Sequence, residues 1–81
     1  MLKVNFDAGL DVREQIGGVG MVARDAGGLF VAARSESLVA VADPLIAEAL
    51  AARASLSFAL SLGFRAITVE GGFSESHSHV K

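Results

Sequence analysis

The chain has 81 residues, a formal net charge of -2, 52% hydrophobic content, 6% aromatics with neither Trp nor Tyr, and no cysteine. This leaves room for one small packed domain and excludes a disulfide frame, a thiolate metal site and an aromatic platform for stacking bases. The basic residues Lys3, Arg13, Arg24, Arg34, Arg53, Arg65 and Lys81 stand singly in the sequence, so phosphate affinity would have to come from metal ions or from other polypeptide.

Leu2 to Asp7 alternates, with Leu2, Val4 and Phe6 on one side and Lys3, Asn5 and Asp7 on the other. That pattern predicts a first strand with Asp7 at its C-terminal end. Residues 8–16, with Gly9, Asp11, Glu14 and Gln15, read as a loop. Gly18 to Arg24 reads as a second strand weakened by glycines, Asp25-Ala26-Gly27-Gly28 as a tight turn, and Leu29 to Arg34 as a third strand. Together these form an antiparallel meander.

Residues 35–43 read as a connection to the strongest helix signal in the chain. Asp43 suits the N-cap and Pro44 the first helical position, Ala and Leu dominate 45–62, and Gly63 suits a left-handed C-terminal cap. Leu45, Ala49, Ala52, Leu56, Ala59 and Leu60 are expected to form the buried stripe. Arg65 to Glu70, rich in β-branched residues, predicts a fourth strand, and a right-handed crossover would lay it parallel to the first. From Gly71 onward the periodicity stops, so the chain divides into a folded part, 1–70, and an irregular tail, 71–81.

Met1 to Asn5 lacks the features of a signal peptide, and the apolar stretches are too short to span a bilayer. The chain therefore reads as soluble and intracellular, with no membrane partner and an open compartment. Gly17 to Gly20 has neither the Lys-Ser/Thr of a phosphate-binding loop nor dinucleotide-fold spacing, and reads as a glycine-bearing strand. Glu75, His77 and His79 could meet a transition metal in a Ser-rich tail, a weak signal of function. Taken alone, Asp7 reads as a turn acid and Glu48 as a solvated acid in the first turns of a helix.

Four local motifs, in order, change that balance. Asn5-Phe6-Asp7-Ala8-Gly9, Gly18-Val19-Gly20-Met21-Val22-Ala23-Arg24-Asp25, Ala47-Glu48-Ala49-Leu50-Ala51, and Leu62-Gly63-Phe64-Arg65 followed by Ile67-Thr68-Val69-Glu70 cover about residues 2–70. Their sequence resembles the ribonuclease H-like domain of the plant reverse-transcriptase-associated type, within the type-1 ribonuclease H family. The resemblance implies an α/β, or more closely α+β, fold with a mixed sheet: three antiparallel strands, one helix, and a fourth strand parallel to the first. It also implies two-metal hydrolysis of the RNA strand of an RNA–DNA hybrid, with Mg²⁺ or Mn²⁺ as cofactor.

Asp7 matches the family's first carboxylate and Glu48 its second, each expected to serve as catalytic residue and metal ligand. The third carboxylate should follow strand four in a Glu-x-Asp pattern, but the chain reads Glu70-Gly71-Gly72, with Gly72 at the Asp position. The sequence is therefore expected to be the N-terminal portion of such a domain, to hold metal weakly or not at all, and to lack hybrid-cleaving activity. The other expectations are a non-catalytic interaction module, self-associating through the open edge of strand four, and a fragment without function.

Overall fold

Alternation along the first strand sets the core. In the computed structural model of the chain, which describes residues 1–11, 13–39 and 43–76, β1 (Leu2–Asp11) turns Leu2, Val4, Ala8 and Leu10 inward, all buried. It pairs antiparallel with β2 (Ile16–Arg24), which pairs antiparallel with β3 (Phe30–Val39). On its other side β1 pairs parallel with β4 (Ile67–Ser76), giving the order β3-β2-β1-β4. The helix α1 (Pro44–Ser61) connects β3 to β4 and covers the face that carries the inward residues of β1. The α+β mixed sheet expected from the sequence is the one the chain forms.

The strands run further than local alternation predicted. Residues 8–11 belong to β1 rather than to a loop, because they pair with 16–19 on one side and 73–76 on the other. Asp7 therefore lies inside the strand, not at its end. The glycines that suggested a loop serve close backbone approach instead: a Cβ on Gly17 would collide with the Gly9 carbonyl oxygen. Residues 35–39, expected as connection, extend β3 through pairing with 16–20, and Leu38 is buried.

The expected tail also begins in the sheet, since β4 continues past Glu70 to Ser76 along β1. Gly71 is required there. The Phe6 ring lies over its backbone, and any Cβ would overlap the ring. His77 and His79, and with them the possible metal cluster of the tail, lie outside the described residues.

Two aspartates hold the hairpin turns. Asp11 Oδ1 accepts from the Arg13 and Glu14 N–H groups at 3.1 and 3.2 Å, and Asp25 Oδ1 accepts from Gly27 and Leu29 at 2.9 and 3.0 Å. Gly28 takes φ +84° in the second turn, as the turn cluster predicted.

The helix is fixed at both ends by its own residues. The Asp43 side chain accepts from Leu45 N–H at 2.9 Å, and Pro44 occupies the first turn. At the other end Gly63, φ +88°, donates to the Leu60 carbonyl at 3.0 Å, and Phe64 donates to Ala59 at 3.4 Å. These bonds satisfy carbonyls that the helix end leaves free. Of the predicted stripe Ala59 is buried, but the rest of the buried face is different. Ala47, Ala51, Ser55, Phe58 and Ala59 face the sheet, while Leu45, Ile46, Leu56 and Leu60 are exposed. Ala and Leu occur on every side of this helix, so periodicity alone carried no direction; the sheet selects the face where three alanines permit close approach and Phe58 fills the core.

Candidate functional site

The face of the sheet turned away from α1 carries Lys3, Asn5, Asp7 and Gly9 from β1. Strand alternation puts Asp7 there because its neighbour Ala8 is buried on the helix side. Across the ladders, Asp7 stands opposite Gly20 of β2 and Gly72 of β4. Neither flanking strand therefore has a side chain beside it, and its exposed carboxylate rises from a row of bare backbone. A Cβ on Gly72 would meet nothing within 4 Å.

This environment separates Asp7 from the turn acids. Asp11 and Asp25 spend their oxygens on turn N–H groups, whereas Asp7 sits mid-strand, where no turn needs an acceptor. Glu70, on the same face two residues before Gly72, is paired with Lys3.

Glu48 is on the other side of the sheet. It follows buried Ala47, which packs against Leu10 and Leu38, and its own side chain is exposed. At 100° per residue it lies about 60° from buried Ala51, on the flank opposite Arg53 and Ser57. On the helical wheel it shares the side of buried Ser55 and Ala59, at the N-terminal end of the helix. Asp7 belongs to β1 and Glu48 to the second turn of α1, the two elements that the expected site would draw its carboxylates from. Among the described residues, no three or more His, Asp or Glu side chains gather where they could hold a metal ion.

The Gly20–Asp7–Gly72 row escaped sequence reasoning in part. The glycines were visible, but only the register of two ladders shows that they flank one acid. No helix among the described residues is long and apolar enough to cross a membrane.

A family profile described as reverse transcriptase-like matches residues 5–81, a range that includes the segment expected to be an irregular tail. No curated protein and no solved structure matches the chain significantly.

Proposed function

Because the chain belongs to the reverse transcriptase-like family, we propose that it is a ribonuclease H-like, nucleic-acid-binding domain of the plant type-1 kind, whose hybrid-cleaving centre is incomplete in these residues. The observation that carries this reading is the position of Asp7: a mid-strand acid, exposed, outside any turn, and flanked only by glycine. An acid of that kind contributes nothing to packing, and its site is accessible to a ligand. Its natural partner in this reading is an RNA–DNA hybrid.

The donor set does not fit two metal ions. Two hard cations about 3.5–4 Å apart need several carboxylates aimed at one place. Here Asp7 is alone in its row, Gly72 stands beside it without a side chain, and Glu48 belongs to the helix layer. A single Mg²⁺ or Mn²⁺ would rest on Asp7, with water in most of its coordination positions, and would be held weakly. Cleavage of a hybrid by this chain is accordingly not expected.

Calorimetric titration of the folded chain with Mg²⁺ and Mn²⁺, alongside Asp7→Asn and Glu48→Gln, tests the assignment. Weak binding lost in Asp7→Asn supports it, while tight binding that survives Asp7→Asn contradicts it.

A second reading is favoured by the sheet edge. β4 is the last strand in the order, and ten residues of its outer side have no pairing strand among the described residues. Such an edge can add a strand from a second chain. Sedimentation that shows a monomer at every concentration would remove this reading.

A further inference from the structure

Two arginines that stand far apart in the sequence share one groove. The groove lies between the edge strand β3 and the outer flank of α1 and has a volume of about 440 Å³. Arg34, Glu36 and Leu38 form its strand wall, all on the same side of β3. Leu50, Arg53 and Ser57 form its helix wall, where Arg53 and Ser57 are one turn apart and neighbours on the surface. Its volume falls within the range of ordinary ligand clefts, roughly 300–1,000 Å³.

We propose that this groove binds a phosphate group of a nucleic-acid backbone, with the Arg34 and Arg53 guanidinium groups on its oxygens and the Ser57 hydroxyl as a third donor. Arg34 is already positioned. Its guanidinium carbon lies 5.3 Å from the centroid of the Phe58 ring, in cation–π range of a core side chain. Its ion pair among the described residues is a long one, 3.9 Å, to Glu36. Arg53 forms no ion pair among the described residues. Two guanidinium groups therefore face one carboxylate, and the groove is locally positive in a chain whose net charge is -2. Planar guanidinium groups present paired N–H donors that match phosphate oxygens. Leu38 and Leu50 supply an apolar floor for the sugar next to the phosphate.

The identity of the carrier rests on the family reading, but the groove itself does not. It lies on the helix side of the sheet, away from Asp7, so each can be altered without touching the other. Basic residues that stand singly in the sequence thus meet in space at this groove.

The test is fluorescence anisotropy of a short labelled RNA–DNA hybrid with the chain, Arg53→Gln, Arg34→Lys and, as a charge-matched control on the other face, Arg24→Gln. A parallel ¹H–¹⁵N spectrum is recorded with inorganic phosphate. Arg53→Gln is expected to weaken the hybrid roughly tenfold, the loss of one charge-assisted hydrogen bond, and to lower the salt slope by about 1. Arg34→Lys keeps the charge but loses the fork, and should weaken binding as well. Arg24→Gln should weaken the hybrid less than Arg53→Gln does, and phosphate should shift the Arg53 and Ser57 amides. Equal affinity of wild type and Arg53→Gln would overturn the groove assignment while leaving the family reading in place. Phosphate shifts without hybrid binding would overturn the nucleic-acid occupant, and no binding of either would overturn the proposal entirely.

Discussion

Asp7 and Gly72 stand directly opposite each other in the parallel ladder of β1 and β4, on the face of the sheet that α1 does not cover. The one carboxylate of that row thus has, as its neighbour, a position with space for a side chain and none present.

Gly72→Asp follows from this geometry. The new carboxylate would project beside Asp7, and the two acids would share a cation. Mg²⁺ or Mn²⁺ affinity should rise by roughly tenfold or more, since ligand charge count sets affinity at such sites. Without metal the like charges should cost a few tenths to about 1 kcal/mol. Calorimetry on Gly72→Asp with and without Asp7→Asn checks both parts. An unchanged affinity would mean that the row is not a metal position.

Gly71 and Gly72 are adjacent but should respond in opposite ways to alanine. The Phe6 ring occupies the place of a Gly71 Cβ, so Gly71→Ala should cost about 1–3 kcal/mol, the usual range for overpacking. Gly72→Ala meets open space and should be within about 0.5 kcal/mol of the parent. Urea denaturation of the two variants gives the comparison.

The orientation of α1 is tested by a pair of truncations. Phe58→Ala should destabilise by about 3–5 kcal/mol, enough to unfold a domain this small. Leu45→Ala should change stability by less than about 0.5 kcal/mol, because Leu45 is 73% exposed. A large loss from Leu45→Ala, or a small one from Phe58→Ala, would indicate that the helix presents its other face to the sheet.

Both helix ends depend on single residues. Asp43→Ala removes the acceptor of the Leu45 N–H and should cost about 0.5–2 kcal/mol. Gly63→Ala puts a Cβ on a residue at φ +88° and should cost about 1 kcal/mol. Thermal melts followed by circular dichroism report both.

The helix was legible in the sequence because its limits are local: Asp43, Pro44 and Gly63 each act within a few residues of themselves. The order of strands was legible for the same reason, from alternation and turn residues. Strand lengths were not. Residues 8–11, 35–39 and 71–76 are strands only because distant partners complete their hydrogen bonds, and Gly9, Gly17 and Gly71 disguise this by having no side chain to alternate. The buried face of α1 was hidden by its Ala- and Leu-rich composition on all sides. Asp7 was singled out by its sequence motif, whereas its place between Gly20 and Gly72 is a property of register. The meeting of Arg34 and Arg53 belongs to the packing of β3 against α1, which no spacing in the sequence encodes.

The most direct test of the account is an RNA–DNA hybrid cleavage assay on the folded chain with Mg²⁺ or Mn²⁺, with Asp7→Asn as background. Under the proposed reading, in which Gly72 stands at a carboxylate position of the family, no metal-dependent cleavage above that background is expected. A clean Mg²⁺-dependent rate in the parent chain that disappears in Asp7→Asn would contradict it and show that Asp7 forms a working centre without a carboxylate at position 72.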